Sequence, residues 1–316
     1  MPEGNITVIS TDTRPQTSLG SAWLFINRIA GGCDKSHQHA QLRALLEKLG
    51  IEMRELNSPQ QLSAQWHDDS ITRPDFIISV GGDGTAAMIA GLTAGQVPIA
   101  IYPAGTENVL AKYLQIPTDF DAFAAMLTQR QVRHFDAGKC GERTFMLMLS
   151  AGFEAEVVHQ VHAQRDGHLS KFNYVLPTFG LMRSYAYPKI ELDIELEDGT
   201  RTQTIGYWVF VFNFPRYALG LELTPNARPD DGLLDVCVLT QKGFWATNTY
   251  ICSLLSGNLS TRSDTTYYRA RSLKIHCDEG ALPLQTDGDP AGFTDVTVSV
   301  QPGYLPLIVP ATKKPG

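Results

Sequence analysis

The sequence predicts an α/β N-terminal domain with an open parallel sheet and glycine-rich loops, followed by a second, mainly antiparallel β-sandwich domain. Three observations carry this. Asp75-Phe-Ile-Ile-Ser-Val-Gly-Gly-Asp-Gly-Thr85 is an apolar run that stops in a glycine turn, the pattern of a strand buried on both faces. Strand-like and helix-like stretches alternate up to about residue 130, which implies right-handed βαβ crossovers. Beyond residue 133, strand-like runs dominate. The expected division is 1–134, joined by a returning segment at about 303–316, and 135–302.

In chain order, residues 1–21 are polar, with one short strand candidate at Ile6–Ile9. Trp23–Ile26 is a compact strand. Ser36 suits an N-cap, and Leu42, Leu45, Leu46 and Leu49 fall at i, i+3, i+4 and i+7, an amphipathic helix stopped by Gly50. A strand at Ile51–Leu56 precedes Ser58-Pro59, N-cap and first residue of the next helix. The 75–85 strand and loop lead into an Ala-rich helix expected from Thr85. Val97–Tyr102 is another strand, with a loop-to-helix unit after Pro103.

The second domain is expected to hold strands at Phe145–Leu149, Ile190–Glu195, Tyr207–Asn213, Leu233–Leu239, Tyr267–His276 and Val296–Val300, with an Asp198-Gly199 hairpin turn. Helices interrupt it at Ser170–Tyr185 and about Gly243–Ser256. Leu305–Val309 is a late strand that could return to the first domain.

Composition narrows the function. A net charge of −7 and a pI near 5.6 argue against nucleic acid as the main partner. No apolar run approaches the ~20 residues of a membrane span, and Met1–Asn5 does not open a signal peptide. Five scattered cysteines without a CxxC suggest a reduced, cytoplasmic protein with neither a disulfide framework nor a zinc site. His37 and His39, two apart on a helix, do not share a face.

Three clusters could carry chemistry. Gly81, Gly82 and Gly84 let the backbone approach a bulky anion, and the helix that follows points free N–H groups at the loop. Tyr102-Pro-Ala-Gly-Thr-Glu-Asn108 repeats the device after the next strand, with Gly105 and Thr106. Gln285-Thr-Asp-Gly-Asp-Pro290 offers carboxylates, although on spacing alone it reads as an acidic turn.

The first cluster resembles the GGDGT signature of the diacylglycerol kinase catalytic-domain family, whose superfamily includes NAD kinases and, more distantly, phosphofructokinases. Pro103, Gly105, Thr106 and Asn108 match the family's P-x-G-T-x-N. Ser150-Ala-Gly-Phe-Glu154 resembles the glycine-aromatic-acid segment that opens its second domain. Asn226-Ala-Arg-Pro-Asp-Asp-Gly-Leu-Leu-Asp-Val236 and the 285–290 stretch follow in family order. The resemblance implies phosphoryl transfer from ATP to a lipid hydroxyl, with Asp289 as general base and Asp83 orienting Mg²⁺ or the acceptor. It implies that Gly81, Gly82, Gly84, Thr85, Gly105, Thr106 and Asn108, aided by Asn57 or Ser58, bind the nucleotide. A bracing Mg²⁺ would be held by the Asp231 side chain and the backbone oxygens of Arg228 and Leu233.

The implied acceptor is diacylglycerol or a related lipid, met transiently at the membrane surface, its acyl tail against Phe172, Tyr174, Phe179 and Tyr185. A homodimer is left open. Two departures stand out: Ala87 and Met88 where the family has Asn-Glu, and Val109 where it has Asp. The rival readings are an NAD kinase-like small-molecule kinase, which would want that Asn-Glu, and an inactive lipid- or nucleotide-binding module.

Overall fold

The computed structural model describes residues 19–27, 36–163, 180–216, 223–224 and 227–311. The expected strand at Ile6–Ile9, most of the 170–185 helix and the residues Phe172, Tyr174 and Phe179 lie outside this set.

β1 (Ser21–Ile26), β2 (Glu52–Leu56), β3 (Phe76–Gly81) and β4 (Ile99–Pro103) form a parallel sheet in the order β4-β3-β1-β2. They alternate with α1 (Ser36–Lys48), α2 (Pro59–Trp66), α3 (Asp83–Leu92), α4 (Val109–Tyr113) and α5 (Phe120–Gln129). Helices on both faces explain why every residue of β3 is buried and why its sequence does not alternate. Leu42 and Leu46 of α1 are buried, with Leu45 and Leu49 packed beside them. Ser58 caps α2 by accepting the Gln61 N–H, with Pro59 at the first helical position, a cap of about 1 kcal/mol.

The second unit is antiparallel. It contains β5 (Val132–Cys140), β6 (Arg143–Phe145), β7 (Met148–Gly152), α6 (Phe153–Ala163), a helical turn at 180–184, β8 (Ile190–Leu196), β9 (Arg201–Gly206) and β10 (Trp208–Phe212). β11 (Leu234–Leu239), α7 (Phe244–Leu255), β12 (Thr265–His276), β13 (Pro283–Thr286), β14 (Asp289–Phe293) and β15 (Val296–Ile308) complete it. β10 shows how the two cores arise. Val209 and Val211 face a core shared with Leu192, Val236 and Leu284, whereas Phe210 and Phe212 face the larger core that includes β3. A strand buried on both faces reads as a continuous apolar run. The Asp198-Gly199 turn joins β8 to β9, with Gly199 at φ +81°.

Three boundaries differ from the sequence reading. α3 begins at Asp83, two residues before Thr85, because Gly82 takes the extended N-cap conformation. The expected 145–149 strand is divided between β6 and β7. The strands expected at 296–300 and 305–309 are one strand, β15, whose register slips between Gln301 and Leu305 around Pro302-Gly303. Leu307 and Ile308 then pair in parallel with Ile99 and Ala100 of β4, so β15 carries one sheet through both units. β5 runs antiparallel along it, and the 134/135 division falls inside β5.

Candidate active site

The carboxyl ends of β3 and β4 put the two glycine loops side by side, at the edge where ligands bind in open parallel sheets. Gly81 O accepts the N–H groups of both Ala104 (2.9 Å) and Gly105 (3.1 Å). A methyl group on Gly105 would stand 2.5 Å from the Gly82 Cα, and one on Gly81 would stand 2.3 Å from the Thr85 Oγ1. Here glycine is demanded by close approach. Gly84 is exposed in the first turn of α3, which the Thr85 N–H closes on Gly82 O at 3.0 Å, and a helix start is a natural anion site.

The polar side chains of these loops hold the loops to each other. Asp83, expected to orient Mg²⁺ or the acceptor, accepts the N–H groups of Val109 (Oδ2, 2.8 Å) and Leu110 (Oδ1, 2.9 Å) and so caps α4 from the neighbouring loop. Burial pushes its carboxyl above the ordinary range, against those two bonds. Asn108, expected on the nucleotide, folds back on Gly105: its Oδ1 accepts the Gly105 N–H and its Nδ2 donates to the Gly105 carbonyl. Its φ of +50° is a left-handed value that asparagine tolerates. The Thr85 hydroxyl accepts from Asn27 Nδ2 at 2.9 Å, while Thr106 is exposed. Asn57 is exposed at the end of β2, with β1 between it and β3, and its backbone N–H donates to Gln61.

The β13–β14 hairpin meets these loops from the second unit. Its turn, Asp287-Gly288, has φ of +53° and +89°, the signs a two-residue type I′ hairpin requires. Asp287 accepts three N–H bonds, from Met146, Leu147 and Met148. Buried Gln285 donates to Ser150 Oγ and Met148 Sδ and accepts the Gly288 N–H, and Ser150 in turn donates to Glu154. The turn is thus bolted to β7 and its two Asp residues diverge. Asp287 points inward, and the Asp289 side chain remains 48% exposed.

Asp289 is the residue that crosses between units. A methyl group on Gly84 would stand 3.6 Å from Asp289 Oδ2, so the carboxylate lies over the exposed start of α3. α3 packs against β6, whose Arg143 donates to Pro290 O (2.7 Å) and stands 3.7 Å from Asp289 Oδ2. Burial pushes Asp287 up to about 6 despite its three N–H bonds, and nearby Asp83 adds to the rise. A carboxylate raised above its unfolded value of about 3.9 binds more protons folded than unfolded between those values, so its contribution to stability falls as pH rises through about 6. A ¹³C carboxyl titration of the native protein is expected to place the Asp287 midpoint near 6. A midpoint below 4 would contradict the burial given to it here.

At the expected metal brace, Asp231 is paired with Arg269. Asp231 Oδ2 is 2.6 Å from the Arg269 guanidinium and its Oδ1 accepts the Leu233 N–H, so the carboxylate is already partly neutralised. No group of three or more metal-ligating His, Cys, Asp or Glu side chains occurs among the described residues. A cation bound through Asp231, Arg228 O and Leu233 O would share the Asp231 carboxylate with Arg269, which already balances part of its charge. The loop is pinned instead by Asp136 of β5, which accepts the N–H groups of Gly232 (2.7 Å) and Gly303 (2.8 Å). EDTA is expected to leave the unfolding temperature unchanged, while Arg269→Ala costs about 1 kcal/mol, the modest value suited to a pair whose arginine is partly exposed. A drop in that temperature on chelation would restore the metal.

Arg143, His162 and Asp136 escaped the sequence reading. Arg143 and His162 act through tertiary contacts that no local pattern announces. For Asp136 a faint signal existed: a carboxylate inside the strand Phe135-Asp136-Ala137 must find partners if buried.

Two glycine loops at the carboxyl edge of a parallel sheet, faced by an acidic hairpin from a β-sandwich, define a kinase-type phosphotransferase. The diacylglycerol kinase catalytic domain model matches residues 21–140, and the YegS C-terminal NAD kinase beta sandwich-like domain matches 148–309. The chain belongs to the diacylglycerol kinase catalytic-domain family, among the YegS-like lipid kinases. A probable YegS-like lipid kinase of Pseudomonas aeruginosa is 30% identical over 245 residues, 74% of this chain and 76% of that protein. An uncharacterized protein of Synechocystis is 25% identical over 240 residues, and the match covers 74% of this chain and 55% of that relative. The crystal structure of a putative diacylglycerol kinase from Bacillus anthracis superposes with a TM-score of 0.70 at 22% identity, over 92% of this chain and 96% of that one. An NAD kinase from Archaeoglobus fulgidus, solved with ATP, gives 0.51 at 14% identity, over 93% and 94%.

Proposed function

We propose that the chain transfers the γ-phosphate of ATP, taken as its magnesium complex, to a hydroxyl group of diacylglycerol or a related lipid. The observation that carries this reading is Asp289 Oδ2 standing over Gly84, a base from one unit facing the anion-binding helix start of the other. The N–H groups of Gly82 and Gly84 and of the loop after Gly105 hold the phosphates, and the magnesium of the donor neutralises charge on them. Asp289 removes the proton of the lipid hydroxyl as its oxygen bonds to the γ-phosphorus; the bond from that phosphorus to the β,γ-bridging oxygen breaks and ADP leaves. Catalysis of this kind is mostly positioning and charge stabilisation. Asp83 and Asn108 serve it indirectly, by fixing the loops.

Tyr185, the described member of the expected acyl-contact set, joins Tyr187 and Trp208 around Phe153 at the start of α6, where Phe153, Tyr187 and Trp208 are buried. Contact with a membrane surface is supported by α7, which carries no charged residue and exposes Trp245 (79%) and Leu255 (62%). No helix among the described residues is long and apolar enough to cross a bilayer.

The test is radiolabelled ATP and Mg²⁺ with the purified protein and detergent micelles of diacylglycerol, monoacylglycerol, phosphatidylglycerol, sphingosine or ceramide, with NAD in a parallel reaction. Label in one lipid names the acceptor. Label in NADP alone would move the chain to the small-molecule branch, and no label in any tube would favour a binding module.

A further inference from the structure

Asp289 is flanked by two basic side chains that belong to neither glycine loop. His162, near the end of α6, has Nε2 3.3 Å from Asp289 Oδ1, and Arg143 of β6 approaches Oδ2 at 3.7 Å while donating to Pro290 O. α6 is itself fixed to this hairpin: His159, one turn earlier, contacts Leu284 O at 2.8 Å, and the helix packs on β7, β13 and β14. The other ring nitrogen of His162, Nδ1, lies 3.2 Å from Val158 O. Both nitrogens therefore face acceptors, one a carbonyl and one a carboxylate. The His162 side chain is 17% exposed, so water replaces a lost donor poorly.

Resting on the kinase reading above, we propose that His162, seconded by Arg143, is the positioning residue of the catalytic carboxylate. His162 fixes Oδ1 and so turns Oδ2 toward Gly84 and the acceptor hydroxyl. The work of His162 and Arg143 is to keep a half-exposed carboxylate on one rotamer. A side chain of this exposure without such partners would sample several rotamers, only one of which reaches the cleft.

The test compares His162→Ala, His162→Gln, Asp289→Asn and the double variant His162→Ala/Asp289→Asn, each checked for native unfolding behaviour. In wild-type background, His162→Ala is expected to lower kcat about tenfold or more with the KM for ATP and lipid changed less than about twofold. His162→Gln, whose amide can still donate to Oδ1, is expected to recover most of the loss. In the double variant, His162→Ala is expected to cost nothing further, because a residue acting through Asp289 has nothing left to position. Wild-type kcat in His162→Ala, or an equal loss in both backgrounds, would overturn the proposal and leave the kinase reading intact. An undiminished kcat in Asp289→Asn would overturn the base assignment itself.

Discussion

Asp289→Asn is expected to lower kcat by about 100- to 10,000-fold, the range a general base contributes. The argument is geometric. The carboxylate has nearly half of its surface open, lies over the first turn of α3, and is the one acidic side chain of its hairpin not spent on backbone N–H groups. Asparagine keeps the shape and can accept from His162 and Arg143, but it cannot hold the proton of an attacking hydroxyl. ATP affinity, measured by calorimetry, is expected to change less than about threefold, because the nucleotide is bound by the opposite unit. A variant retaining half of the wild-type kcat would remove Asp289 from the chemistry.

Gly105→Ala is expected to weaken nucleotide binding by a different route. Its methyl group would sit 2.5 Å from the Gly82 Cα, 2.9 Å from the Gly82 N and 2.8 Å from the Asn108 Oδ1. Two of these are backbone atoms of the facing loop, which cannot rotate away as a flexible side chain would. Relief requires the loops to part, weakening the Gly81 O bonds and displacing the helix that Asp83 caps. Overpacking of this kind costs about 1–3 kcal/mol of stability, and misaligned donors raise the KM for ATP by about tenfold or more. Gly91→Ala supplies the control, since a Cβ there meets nothing within 4 Å and α3 gains a better helix former. Equal ATP affinity in both variants would show that the loop contact does not shape the nucleotide site.

The parallel sheet was legible because burial on both faces leaves an unbroken apolar run, as in Phe76–Val80, and because Ser58-Pro59 is a local helix start. Local chemistry also announced the Asp198-Gly199 hairpin. The course of β15 was not legible: Pro302-Gly303 reads as a strand end, and only pairing with β5 carries the chain through it. The start of α3 was misplaced because a Gly-rich turn and a helical first turn use the same residues. In the site, residue types were readable and their partners were not. Asp83, Asn108 and Asp231 have the composition of ligand-binding groups, yet each is engaged by this chain's own backbone or by Arg269, contacts set by distant segments. Arg143 and His162 reach Asp289 from 146 and 127 positions away, beyond any local period.

The most direct measurement is a crystal structure with a non-hydrolysable ATP analogue and Mg²⁺. The terminal phosphate is expected within hydrogen-bonding distance of the Gly82 or Gly84 amide, with Asp289 on its open side at the distance of one interposed hydroxyl. A nucleotide bound away from the two glycine loops, or a terminal phosphate turned from Asp289, would contradict the account.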